Sequence, residues 1–191
     1  ASELNVLANR LARLAEVDPF TRDFTVNALR GALAEVVAAF PVYRTYVDAQ
    51  GATEDDRRDL DWAVAQAKKR RAREETTIYD FIHRVLRLDV PQDMPPLQRL
   101  VVQDFAMRFA QYTGPVTAKS VEDTLFYRVF PLASLNEVGS NPARAEISVA
   151  AFHHHNQRRA QSFSHQMLAG TTHDTKRSED VRARLNVLSE C

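Results

Sequence analysis

The chain has 191 residues, 45% hydrophobic and 26% charged with 5 glycines, a composition that excludes disorder and collagen-like repetition and permits a real core. Its 25 basic and 25 acidic side chains cancel, so no global field draws it to nucleic acid or to an anionic membrane, and neither is expected as a partner. No apolar run approaches the ~20 residues of a membrane-spanning helix, no signal-peptide layout opens the chain, and the single cysteine, Cys191, cannot form an intramolecular disulfide, so a cytoplasmic protein of one or two domains is expected.

Leu4, Leu7, Leu11 and Leu14 recur at three- and four-residue intervals, which predicts an amphipathic helix with Ser2 as its N-cap and Pro19 as its stop. A second helix is predicted from about Phe24, turning Val26, Leu29, Leu33, Val36, Val37 and Phe40 inward and halted by Pro41. Val42 to Val47 reads as a short extended piece. Thr53 caps a third helix whose first turn holds Asp55 and Asp56, whose last holds Lys68, Lys69, Arg70, Arg71 and Arg73, and whose inner face is Leu60, Ala63, Val64 and Ala67. Thr77 opens a fourth through Ile78, Phe81, Ile82, Val85 and Leu86. The Pro91 to Pro96 stretch separates it from a fifth bearing Leu97, Leu100, Val101, Phe105 and Phe109, with Gly114-Pro115 as its end.

Residues 115–146 lack a sustained period and read as a long ordered loop around one short helix near Val121 to Tyr127. A sixth helix is predicted from Ser148 with Val149 and Phe152 inward, then a buried strand over Gln166 to Thr172, then a last helix marked by Val181, Leu185 and Leu188. A lone strand needs partners that the chain does not obviously supply.

The basic run Lys68 to Arg73 lacks interleaved aromatics and reads as a solvated helix end. His153, His154 and His155 are consecutive, so on a helix they diverge by ~100° each and do not converge on one ion; no metal site is expected. No HExxH, CxxC or glycine-rich phosphate loop occurs. The segment Thr171 to Asp180 packs six ionisable residues into ten positions at a strand-to-helix junction, where barrel enzymes place catalytic groups. Composition alone favours a polar loop there, with Ser178 or Asp180 capping the last helix.

The following stretches resemble the malto-oligosyltrehalose synthases of the α-amylase family (glycoside hydrolase 13): Ser2-Glu3-Leu4-Asn5-Val6-Leu7-Ala8, Arg22-Asp23-Phe24-Thr25, Phe40-Pro41-Val42-Tyr43-Arg44-Thr45-Tyr46, Tyr112-Thr113-Gly114-Pro115-Val116, Ala118-Lys119, Val121-Glu122-Asp123-Thr124, Phe126-Tyr127-Arg128, Ser134-Leu135-Asn136-Glu137-Val138-Gly139, and Thr172-His173-Asp174-Thr175-Lys176-Arg177-Ser178-Glu179-Asp180-Val181-Arg182-Ala183-Arg184. The last is the most specific, since a general amylase motif shares little beyond His173-Asp174. Thr117, Ser120 and Ser140-Asn141 depart from the family pattern, and Cys191 resembles a truncation end. Family enzymes are several times longer, so the resemblance implies an internal fragment. It implies a mainly α chain: a helical domain (1–114) inserted in a parent (β/α)8-barrel enzyme, then a loop-rich segment (115–191) with one barrel-type strand and helix.

The implied reaction converts the reducing-end α-1,4 linkage of a malto-oligosaccharide to an α,α-1,1 linkage by retaining intramolecular transglucosylation, in trehalose biosynthesis. By the same resemblance Asp174 is the third catalytic carboxylate, which stabilises the transition state, and His173 binds sugar. Lys119 and Lys176 bind at the reducing-end subsite. The nucleophile, at an Arg-x-Asp strand end, and the acid fall upstream of residue 1, so Glu122, Asp123 and Glu137 take neither role. Arg177 and Arg182 are expected in structural ion pairs with Glu179, Asp180 or another part of the parent. No metal or organic cofactor is implied. The expected partners are the malto-oligosaccharide and the missing barrel portion of the same enzyme, and the isolated chain is expected to be inactive. The readings set beside this one are an amylase-like hydrolase fragment and a stand-alone helical protein-interaction module.

Overall fold

In the computed structural model, residues 2–70, 76–144 and 146–190 are described. They contain helices and turns, and no strand is found among them. The chain divides into two compact units, residues 1–118 and 119–191.

Five helices build the first unit: α1 (Ser2–Ala15), α2 (Val26–Ala38), α3 (Glu54–Arg70), α4 (Thr77–Leu86) and α5 (Pro96–Thr117). Leu7 and Leu11 of α1 are buried and Leu4 and Leu14 pack at the edge of the same core. Ser2 lies within the first turn of α1 rather than ahead of it. The helix stops at Ala15, before Pro19, because the Thr21 hydroxyl turns back to donate to the Ala15 carbonyl at 2.8 Å and satisfies an orphan acceptor of the last turn. Thr25 caps α2, its hydroxyl accepting from Ala28 N at 3.2 Å. Leu29, Leu33, Val36 and Val37 are buried as the periodicity predicts, whereas Val26, in the first turn, is 38% exposed. Phe40, just beyond α2, meets Phe109 of α5 edge to face with centroids 5.7 Å apart.

No strand forms over Val42–Val47; Thr45 and Val47 are buried and the only pairing nearby is an isolated bridge between Asp48 and Gly51. The segment is held to α3 by a buried carboxylate. Asp56 accepts from Tyr46 N at 2.8 Å, Thr53 N at 3.0 Å and the Thr53 hydroxyl at 2.7 Å, while Thr53 Oγ1 accepts from Asp56 N at 3.2 Å. This reciprocal box fixes where α3 begins. Leu60, Ala63, Val64 and Ala67 are its buried face, as the sequence predicts; Arg71 and Arg73 lie outside the described residues. On α4, Ile78, Tyr79, Phe81, Ile82, Val85 and Leu86 are all buried, since the helix contacts α2, α3 and α5.

Two features of α5 differ from expectation. Its first turns are exposed, Leu97 by 74%, Leu100 by 60% and Val101 by 48%, and the core begins at Val102 and continues through Phe105, Ala106 and Phe109. Gly114-Pro115 does not end it. The helix runs to Thr117, and the hydrogen bond that Pro115 cannot donate is followed by a π turn at Ala118–Glu122, a wider register that carries the chain onward.

The second unit has little interior. After 3₁₀ turns at Leu125–Tyr127 and Ala133–Leu135 come α6 (Val149–Ser162) and α7 (Glu179–Asn186). Where a short helix is expected near Val121–Tyr127, the chain forms the π turn and the first 3₁₀ turn instead. Phe126, Ser134 and Asn136 are buried. Ser148 caps α6, accepting from Ala151 N at 3.1 Å, but no residue of α6 is buried: Val149 is 74% and Phe152 53% exposed, against the inward placement expected. The strand expected over Gln166–Thr172 is likewise absent. Met167 is 90% exposed, and no described segment offers the ladder that would satisfy its backbone. In α7, Val181 is exposed and Leu185 half-buried, and Leu188 falls in a terminal 3₁₀ turn; Cys191 lies outside the described residues.

Candidate functional site

The candidate residues belong to the second unit, and its geometry centres on two carboxylates outside the predicted site. Asn136, 1% exposed, donates through its amide to the Phe126 carbonyl at 2.9 Å and the Val129 carbonyl at 2.7 Å. It thereby fixes the loop on which the next residue, Glu137, is presented. Gly139, at φ 75°, takes the left-handed conformation that lets the chain turn directly after it, and Ser140 N donates to the Glu137 carbonyl at 2.9 Å. The departure at Ser140 has a structural role: its hydroxyl accepts from Glu137 N at 3.2 Å and donates to the Leu135 carbonyl.

Glu137 reaches across to the 170–182 segment. Its Oε1 accepts from Lys176 N at 2.7 Å and Val138 N at 2.9 Å; its Oε2 accepts from Arg177 N at 3.1 Å and the Arg182 guanidinium at 3.3 Å. Burial works against ionisation here, but the amides of Val138, Lys176 and Arg177 and the Arg182 guanidinium outweigh it and hold the carboxyl below the usual glutamate range. Arg182 also donates to the Arg177 carbonyl at 3.0 Å and to the Gly170 carbonyl, closing the base of the loop. Arg182 thus forms its ion pair with Glu137 rather than with Glu179 or Asp180. Ser178 takes the N-cap position of α7 without a side-chain cap bond, and Glu179 N receives its acceptor from the Thr171 hydroxyl at 2.9 Å.

Above this clamp, Thr172–Thr175 make a tight turn. Thr175 Oγ1 donates to the Thr172 carbonyl at 2.7 Å and accepts from Thr172 N at 3.3 Å. His173 and Asp174 sit at its tip with side chains 101% and 82% exposed, His173 Nδ1 lying 3.4 Å from Asp174 Oδ1. That contact is long and solvated, so the structure leaves both groups open to a ligand. A hydrogen-bonded turn presenting an exposed carboxylate can stabilise positive charge on a bound ring and accept hydroxyl donors.

The two candidate lysines meet on the second carboxylate. Asp123 accepts from Lys119 Nζ at Oδ2, 2.6 Å, and from Lys176 Nζ at Oδ1, 3.3 Å; Glu122 lies 3.9 Å from Lys176 Nζ. The hydrogen bond from Lys119, then that from Lys176, lowers the Asp123 pKa, and the Lys119–Asp123 bond raises that of Lys119. Lys176 is 19% exposed and Lys119 78%. Each ammonium has three donors, so both retain capacity for hydroxyls after binding carboxylates. The structure therefore joins Lys119 and Lys176 through Asp123, while His173 and Asp174 project from the turn that Glu137 holds beneath. Sequence reasoning did not single out Asn136, Glu137 or Asp123 as the organisers; their membership in the matched stretches was the available signal.

The Arg-x-Asp spacing does occur twice in the chain, at Arg57-Arg58-Asp59 within α3 and at Arg87-Leu88-Asp89 just past α4, neither of them a strand end. No group of three or more His, Cys, Asp or Glu able to hold a metal ion occurs among the described residues. No described helix is long and apolar enough to cross a membrane.

No protein-family model matches the chain. Over 105 residues it is 47% identical to a protein that carries the name maltooligosyl trehalose synthase in two strains of Mycobacterium tuberculosis, an alignment covering 52% of this chain and 14% of the relative. The solved structure of maltooligosyltrehalose synthase from Arthrobacter ramosus aligns with 98% of this chain and 21% of its own length at 36% identity and a TM-score of 0.69. A hypothetical maltooligosyl trehalose synthase of Sulfolobus tokodaii aligns with 98% of this chain and 23% of its own at 28% identity and a TM-score of 0.54. The chain thus spans about a seventh of the curated relatives it matches and about a fifth of the solved ones. It is similar to a portion of maltooligosyl trehalose synthase.

Proposed function

We propose that the chain contributes the helical portion and part of the sugar site of an enzyme that isomerises the reducing-end α-1,4 linkage of a malto-oligosaccharide to the α,α-1,1 linkage of trehalose. The observation that carries this reading is the shared carboxylate Asp123, which brings Lys119 and Lys176 together beside a turn bearing His173 and Asp174. In the parent, the surrounding (β/α)8 barrel would supply the nucleophile and the general acid.

Retention of anomeric configuration requires two displacements. A carboxylate attacks the anomeric carbon as an acid protonates the leaving oxygen; the released glucose then turns, its own anomeric hydroxyl gives its proton back to the former acid and attacks the covalent intermediate, and the carboxylate is expelled. Asp174 is assigned the third carboxylate: it holds ring hydroxyls and lowers the energy of the oxocarbenium-like transition state. His173 donates to a neighbouring hydroxyl. Lys119 and Lys176 close the pocket in which the glucose turns. Ammonium groups suit that task because they donate without competing as nucleophiles at neutral pH, and Asp123, which both lysines contact, orients them. Glu137 positions the loop and is not a catalytic residue.

Lys176→Ala in the full-length enzyme tests this assignment. With the pocket wall opened, freed glucose escapes before re-attack, so the ratio of released glucose to non-reducing product rises several-fold. A ratio unchanged from the parent, at unchanged turnover, contradicts the role.

A further inference from the structure

The outer face of α3 carries the only tryptophan in the chain. Trp62 is 56% exposed, on the side of α3 away from the buried Leu60 and Ala63. It lines an open cavity of about 740 Å³ together with Glu54, Arg57, Arg58, Asp61 and Arg87. The three arginines of this wall are paired. Arg87 lies 2.6 Å from Asp61 and 3.0 Å from Asp89, Arg57 3.4 Å from Asp89, and Arg58 2.7 Å from Asp55. With every arginine engaged by a carboxylate, the wall offers no free cationic group that would select a phosphate.

The hydrogen-bonding groups are nonetheless fixed. Asp61 Oδ1 accepts from Arg87 Nη1 and contacts His83 Nε2, both at 2.6 Å, while Oδ2 has no hydrogen bond among the described residues. Arg57 Nε donates to the Ala52 carbonyl at 3.2 Å, which holds its guanidinium in place. An exposed indole face beside preorganised donors and acceptors suits a hydroxylated ring. The apolar C–H face of a pyranose covers the indole, and its hydroxyls replace water on the carboxylate and guanidinium edges.

We propose that this cleft is an accessory binding site for a neutral pyranose oligosaccharide, formed within the first unit and separate from the residues assigned to the reaction. The choice of an α-1,4-glucan as its ligand rests on the proposed function. Because Trp62 is the sole tryptophan, its fluorescence reports on this cleft directly. Titrating the 191-residue chain with maltopentaose is expected to give a saturable blue shift that sorbitol at equal mass concentration does not. By isothermal titration, Trp62→Ala is expected to weaken binding at least about tenfold, a loss typical of an aromatic anchor. Trp62→Phe is expected to retain part of it, and the melting temperature is expected to stay unchanged. Absence of a saturable shift, or undiminished binding by Trp62→Ala, overturns the proposal. Lys176→Ala is expected to leave the Trp62 response intact. If instead the heat of binding survives Trp62→Ala and is lost in Lys176→Ala, the accessory site fails while the proposed function stands. An unchanged product ratio for Lys176→Ala in the full-length enzyme, with the Trp62 shift still present, has the opposite meaning.

Discussion

Glu137 binds three backbone amides and one guanidinium, and its carboxyl pKa is held below the ordinary glutamate value because those donors outweigh burial. A folded-state pKa below the unfolded one contributes stability that is present above the ordinary glutamate pKa of about 4.3 and is lost as pH falls through the lower folded value. The 170–182 loop is therefore expected to loosen on acidification below about pH 4. Hydrogen exchange at the Lys176 and Arg177 amides, which donate to Glu137, is the measurement, once corrected for the intrinsic pH dependence of exchange. Their protection is expected to fall with pH in the parent and to lose that pH dependence in Glu137→Gln. Glu137→Ala leaves those donors unsatisfied and is expected to cost about 1–3 kcal/mol of local stability. Equal protection of both amides in Glu137→Ala and parent would show that the clamp does not hold the loop. Nothing in local periodicity singled out this residue: apart from Val138, its partners lie 39, 40 and 45 positions away, and a glutamate in a polar loop is indistinguishable from a solvated one until the chain closes around it.

At the scale of elements, the apolar stripe was readable wherever one helix had one buried face. Leu60, Ala63, Val64 and Ala67 of α3 are the example, with acidic first turn, basic last turn and a Thr53 cap all agreeing. It was less readable where the neighbours decide. The first turns of α5 have apolar residues on an exposed face, and Pro115 lies inside the helix, three residues before a π turn. Among the described residues, those of the main hydrophobic cluster fall within residues 2–118, so that piece alone is expected to melt cooperatively by circular dichroism. Phe109, 1% exposed, packs against Phe40, and Phe109→Ala is expected to destabilise the piece by about 3–5 kcal/mol in urea unfolding. A broad, non-cooperative signal would mean that the five helices do not form a self-sufficient core.

Over the whole molecule, the strand expected at Gln166–Thr172 and the inward face expected for α6 fail for one physical reason. Both need a partner surface, and the described residues contain none for them. Ile147, Val149, Phe152, Phe163, Met167 and Leu168 are each more than half exposed, a density of apolar surface that ordinarily marks an interaction face. Phe152→Ser is therefore expected to change the stability of the isolated chain by no more than about 0.5 kcal/mol, as for an uncovered surface site. A large loss in urea unfolding would show that α6 is packed. With Asp174 as its one assigned catalytic carboxylate, the isolated chain is expected to leave the reducing ends of maltopentaose unconsumed. Steady loss of reducing ends at the rate of an intact synthase would contradict the division of catalytic groups.

The central claim is that Asp174, exposed at the tip of the Thr172–Thr175 turn, acts in the transition state of the sugar transfer. Asp174→Asn keeps size and hydrogen-bonding capacity and removes the charge. The decisive measurement is steady-state kinetics of that variant in the full-length enzyme. The account predicts that kcat falls by at least ~10²-fold, the scale of losing one preorganised stabilising group, while KM stays within a few-fold of the parent. Near-parental kcat would contradict it and return the turn to a polar loop at the start of α7.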